Sequence, residues 1–176
     1  MELPNQILED VLNQYKPVIG SDFERYKNHV CRVFLNCLLI DGDIENRDKY
    51  AIAAVFHDIG IWTNHTFDYL NPSIEQAKIY LHKTGRQAWT GEISRMIYWH
   101  HKLSAYTGEN ENTVENFRKA DWMDVSLGLL TFGLNRHSIG ETRHKFPNEG
   151  FHVFLLKESV QNFFKHPLNP LPVFKK

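Results

Sequence analysis

Apolar residues recur at three- and four-residue steps along most of this chain, and no segment alternates as a half-buried strand would. Its core therefore has to be made by helices packing on helices. Leu3, Ile7, Leu8, Val11, Leu12 and Tyr15 mark an amphipathic helix over residues 3–16 that should stop before Pro17. Ser21 to Glu24 reads as a capping box for a second helix, carried by Tyr26, Val30, Val33, Phe34, Cys37 and Leu38 to Ile40, where Asp41-Gly42-Asp43 breaks it. A third helix runs from Glu45 to His57-Asp58, with Gly60 placed to end it. A fourth starts with Asn71 as N-cap and Pro72 at its first position and ends at Gly85. Thr90 caps a fifth with Ile93, Met96, Ile97 and His100 on its inner face, and a sixth from Thr113 carries Val114, Phe117, Ala120, Asp121, Val125 and Leu129. Residues 131–150 look irregular, a last helix covers 151–164, and the prolines of the 165–176 tail forbid regular helix. The expectation is an all-α, single-domain bundle of about seven helices over residues 1–176.

Composition removes several classes of function. The 20 Lys+Arg and 21 Asp+Glu leave a formal net charge of −1, so no basic field favours a nucleic-acid polymer or an anionic membrane as partner. No apolar run approaches the roughly eighteen residues that span a bilayer, and Glu2, Glu9 and Asp10 stand where a signal peptide would be apolar, so a cytoplasmic protein is expected. Cys31 and Cys37 fall in one helix about 9 Å apart, too far for a disulfide, and read as small core residues. Without a CxxC pair, a cysteine zinc site is excluded. The ten histidines are the composition's one surplus.

The pair His57-Asp58 is uninformative alone, since a shuffled chain of this composition contains about half such a pair. Its setting matters more. It follows the apolar run from Ala51 to Phe56 and precedes Ile59-Gly60, which puts two costly polar groups at the end of a core-facing helix. His29 lies beside the buried stripe of Tyr26, Val30 and Val33, and Asp121 stands where the helix of Phe117, Ala120 and Val125 calls for an apolar residue. Two imidazoles and two carboxylates from three helices form a mixed nitrogen and oxygen set that suits divalent Fe, Mn, Co, Ni or Zn, and Mg less comfortably. The same residues also read as a satisfied core histidine, a helix C-terminus and an exposed acid.

Asn28 to Val33, Ala53 to Gly60 and Lys119 to Asp124 together resemble the HD-domain superfamily of metal-dependent phosphohydrolases, with 28 residues from His29 to His57 and 63 from Asp58 to Asp121. The resemblance covers about residues 20–130. It implies an all-helical fold with His29, His57, Asp58 and Asp121 as metal ligands, and a small-molecule phosphate ester, a nucleotide among the candidates, as substrate. Some members bind a second metal through a histidine early in the helix after the HD pair and another in a later His-His pair. Here Asn71 stands at the first of those positions, although His100-His101 is present, and the absence of Gly-Tyr-Pro after that pair argues against cyclic-dinucleotide phosphodiesterases.

Within that reading Asp58 orients the attacking water, and His100, one turn from Met96 and Ile97, points inward as a general acid or second-metal ligand, with His101 and Lys102 nearer the rim. Arg32, three residues after His29, is placed either to grip a phosphate in two-point fashion or to pair with an acid on a neighbouring helix. Lys102 and Glu75 read as solvated, and His65, His82, His137, His144, His152 and His166 receive no role. Two other functions fit the same residues. One is a diiron oxygenase or hydratase, against which Asn71 counts, and the other is a binding or regulatory module that keeps the metal without turnover.

Overall fold

The computed structural model describes residues 5–165. These form α1 (Gln6–Ile19), α2 (Phe23–Ile40), α3 (Arg47–Phe56), α4 (Gly60–Thr63), α5 (Leu70–Lys83), α6 (Thr90–Trp99), α7 (Glu111–Val125), α8 (Arg136–Lys145) and α9 (Phe151–Lys165). Seven match the expected helices, α4 is a single extra turn, and no strand occurs among the described residues. Leu3 and the proline-rich stretch from His166 onward lie outside the described residues.

The architecture follows from what each helix has to bury. From Tyr50 to Phe56 every residue of α3 is fully buried, so this helix is apolar all round and occupies the middle of the bundle. Each large side chain there, such as Ile52, Val55 or Phe56, contributes about 1.5–3 kcal/mol by leaving water. α2 packs along α3 and α7, α6 packs on α3, α5 and α7, and α1 covers α3. The Tyr26 hydroxyl on α2 donates to the Val55 carbonyl at 2.7 Å, which ties α2 to the end of α3. Cys31 and Cys37 are buried free thiols, as their spacing requires. Among the described residues no helix is long and apolar enough to cross a membrane.

Several local expectations are corrected. Pro17 sits inside the last turn of α1, where its missing N–H forfeits only one bond, to the residue 13 carbonyl. The helix ends three residues later at Gly20, whose φ of +62° suits glycine. The Ser21 capping box does not form, because a 3-10 turn over Gly20–Asp22 runs directly into α2 and no side chain caps it. Asp22 instead accepts the Trp62 indole N–H at 3.0 Å. α5 starts at Leu70, two residues early, with the Ser73 N–H on the Tyr69 carbonyl, and neither Asn71 nor Thr90 acts as a side-chain cap. Residues 131–150 contain α8, capped by the Asn135 side chain but burying only Ile139 and Thr142, too few apolar positions to leave a periodic signal.

Gly60 does not terminate α3 but opens α4. A Cβ there would lie 2.6 Å from the Tyr69 carbonyl oxygen and 2.9 Å from Pro72 Cβ, and its N–H donates to Ser73 Oγ at 2.9 Å. Glycine is needed for close approach of α5 to the turn that carries His57 and Asp58. Gly60→Ala is therefore expected to destabilise the fold by about 1–3 kcal/mol, read as a lower midpoint in urea. Gly42→Ala, which meets open space, should stay within about 0.5 kcal/mol of the parent.

Candidate metal centre

His29 sits in the middle of α2, Asp121 and Asp124 lie one turn apart on α7, and His57 and His100 are the C-terminal caps of α3 and α6. The two caps share one geometry. The Nδ1–H of His57 donates to the Ala54 carbonyl at 2.8 Å, and that of His100 to the Ile97 carbonyl at 2.6 Å. Each ring thus satisfies a last-turn carbonyl that the helix leaves free and aims Nε2 inward. The Nδ1–H of His29 donates to Asp124 Oδ2 at 2.7 Å, which aims its Nε2 at the same point.

Four atoms converge there. His29 Nε2 lies 2.9 Å from His57 Nε2 and 3.6 Å from both Asp58 Oδ2 and Asp121 Oδ1. His57 Nε2 lies 3.3 Å from Asp58 Oδ2 and 3.7 Å from Asp121 Oδ1. Ligands about 2.1 Å from a common ion stand roughly 3.0–3.4 Å apart at octahedral to tetrahedral angles, so the spacing fits a cation. The carboxylates also face a second direction, with Asp58 Oδ1 3.4 Å from His100 Nε2 and Asp121 Oδ2 3.4 Å from His101 Nδ1. His29, His57 and His100 have no exposed surface, and Asp58 and Asp121 almost none. Yet Asp58 Oδ1, His100 Nε2 and both Asp121 oxygens have no hydrogen-bond partner among the described residues. Buried polar atoms are rarely left so unless an ion or water completes them. The donor set and these orphaned atoms fit a divalent metal.

The charges are uneven across the cluster. Burial alone would push His29 down, but hydrogen bonding to Asp124 and Asp58 and the charge of Asp124 outweigh it and bring its pKa up to about 9. Burial would raise Asp58, but the neighbouring histidines, His57 first, hold it well below the usual carboxylate range. Asp121, with no donor on either oxygen, is raised by burial despite the three imidazoles around it. Burial alone would lower His100, but the neighbouring Asp58 and Asp121 carboxylates outweigh it and raise its pKa. His101 is lowered well below its ordinary value by burial and by the charge of His100.

Other expected residues move. Arg32 is fully buried and does not face the cluster as a phosphate grip. Its Nε and Nη2 donate to the two oxygens of Asp124 at 2.6 and 2.9 Å, and Nη1 donates to the Phe146 and Pro147 carbonyls. The ion pair with a neighbouring helix is the arrangement formed. His101 is not at the rim but against Asp121, with Nε2 2.6 Å from the Tyr69 hydroxyl. Lys102 is buried with its ammonium 4.7 Å from the Tyr98 ring centre, whereas Glu75 is exposed as expected. Asn71 is exposed and takes no part.

Four residues escaped the sequence reading: Asp124, Arg143, Tyr69 and Phe151. Phe151, the first residue of α9, stacks on the His29 ring at 4.1 Å and 19°. Arg143 donates to Asp124 Oδ1 at 3.0 Å. Only Asp124 carried a signal, standing three residues after Asp121 and so on the same helix face. A cleft of about 290 Å³ lies beyond this aromatic layer, lined by Trp62, Phe67, Phe154 and Gln161 among others, and Tyr26 stands between Trp62 and the His29 and His57 rings.

The family model of the HD domain matches residues 26–126, which takes in all of these histidines and acids except the α8 and α9 contacts. No curated protein and no solved structure matches the chain.

With a pKa of about 9, the metal-free His29 ring carries a second proton at pH 7, and a cation has to displace it. Below pH 9 each rise of one unit removes that competitor, so the apparent affinity for Mn²⁺ should climb by up to about tenfold per unit between pH 7 and 9 and then level off. A competition titration across that range measures it, and a flat profile would contradict the assigned protonation.

Proposed function

Because this chain belongs to the HD-domain family, we propose that His29, His57, Asp58 and Asp121 hold a divalent transition metal and that the protein hydrolyses a small phosphate ester, with nucleotides among the candidates. The observation that carries the reading is the convergence of four buried donor atoms with carboxylate oxygens left unpartnered at their meeting point. When bound, the ion lowers the pKa of a coordinated water and polarises a phosphoryl oxygen. Asp58 receives a proton from the attacking water or orients it through Oδ1, the oxygen that faces no ring N–H donor at hydrogen-bond length. His100 serves as general acid. Its Nδ1–H is committed to the Ile97 carbonyl, its Nε2 points into the site, and there it would carry the proton for the departing oxygen. A net charge of −1 supports a small substrate over a nucleic-acid polymer.

A second reading is favoured by one specific observation. Asp58, His100 and His101 form another group of metal-ligating atoms, with Asp121 Oδ2 3.4 Å from His101 Nδ1, so these residues would hold a second ion, as an HD-type oxygenase or hydratase would require.

Metal analysis of the purified protein is expected to find close to one equivalent, with hydrolysis of phosphate esters supported by Mn²⁺, Co²⁺, Ni²⁺ or Mg²⁺. Two equivalents of iron with no phosphatase activity would favour the second reading. His57→Ala and Asp58→Ala should each abolish metal binding, and full retention in both would refute the ligand set. His100→Gln should keep the metal and lose about 10²–10⁴-fold in kcat. Loss of one of two equivalents in that variant would identify His100 as a ligand.

A further inference from the structure

Asp121 and Asp124 occupy one face of α7 and are equally buried, yet they are treated in opposite ways. Both oxygens of Asp121 are unpartnered, while those of Asp124 receive four donors. Oδ2 accepts from His29 Nδ1 at 2.7 Å and Arg32 Nη2 at 2.9 Å, and Oδ1 accepts from Arg32 Nε at 2.6 Å and Arg143 Nη1 at 3.0 Å. We propose that Asp124 is the positioning residue that makes His29 bind metal through Nε2, an inference that rests on the metal-centre reading above.

A neutral imidazole has one N–H, and only its other nitrogen can bind a metal. For His29 the two sides compete for that proton. Asp58 and Asp121 each lie 3.6 Å from Nε2 and draw the proton to the side where the metal has to bind. Asp124 lies 2.7 Å from Nδ1 and holds it on the opposite side. The Arg32 fork, with Arg143 beside it, prevents the carboxylate from turning away. Arg32 is itself anchored on the Phe146 and Pro147 carbonyls, and the His152 Nε2–H donates to the Asp124 carbonyl. The start of α9 and the orientation of His29 are thereby fixed by the same few bonds.

Asp124→Asn keeps the size but places an NH₂ where every neighbouring group is a donor, so the amide faces either an arginine or His29 Nδ1 with the wrong group. Zn²⁺ affinity, measured against a chromophoric chelator, is expected to fall about 10–100-fold, with partial recovery in Asp124→Glu. An affinity within twofold of wild type in Asp124→Asn would overturn the proposal. The wild-type protein gives a test that does not depend on a variant folding. In ¹⁵N-histidine NMR of the Zn²⁺-loaded chain, His29 should carry its proton on Nδ1 with Nε2 shifted by the metal, and coordination through Nδ1 would overturn it. A wild-type chain that takes up no Zn²⁺ at all would overturn the metal centre itself and this inference with it.

Discussion

Asp58 and Asp121 are buried among imidazoles at the meeting point of α2, α3, α6 and α7, and three of their four oxygens have no hydrogen-bond partner. Taking a carboxylate out of water costs several kcal/mol unless a partner of opposite charge replaces the lost hydration. The imidazoles offset part of that cost, and the apolar core around them offsets none of it. α3 is apolar along its whole second half, and the α2 and α7 faces that meet it are lined by Val30, Val33, Phe117 and Ala120. A cation at the convergence point would supply the missing charge, and the bundle holds Asp58 and Asp121 each within 3.7 Å of the His29 and His57 Nε2 atoms around it.

The means are simple helix physics. A helix C-terminus exposes carbonyls that need donors, and His57 and His100 supply them while turning Nε2 toward the centre. The turn that carries His57 and Asp58 can lie against α5 only because Gly60 has no side chain. His29 has no such helix end to lean on, being in mid-helix, and takes its orientation from Asp124 across the interface with α7. Two of the three imidazoles are thus oriented by local sequence and one by tertiary contact.

That difference also sorts what was legible in the sequence. Helices with a sustained apolar period are legible, including α9, which buries only Phe151, whereas the single turn of α4 and the sparse apolar positions of α8 leave no such period. His29, His57, Asp58 and Asp121 stood out because each interrupts an apolar face with a group that is costly to bury. Arg32 stood on the right face, but no periodicity tells whether a guanidinium reaches a substrate or an acid on another helix, and the answer depends on Asp124, 92 residues away. His101 was misplaced because the 100° step of a helix was carried past Trp99, where α6 has already ended.

The outer ring of charges then bears on what the centre could accept. When a divalent ion is present it balances Asp58 and Asp121, and His29 and His57 bind as neutral rings. Around them Asp124 faces two guanidiniums, buried Arg32 and partly exposed Arg143, and with the proton that the proposed reading assigns to His100 the wider cluster would carry two positive charges in excess. In a site with almost no exposed surface that charge is poorly screened by solvent. Under the proposed reading an entering anion would be favoured over a neutral molecule of the same shape, through residues held on α2 and α8 by hydrogen bonds to α7. The phosphate chemistry proposed for the centre and the charge arrangement behind it thus point in the same direction for separate physical reasons.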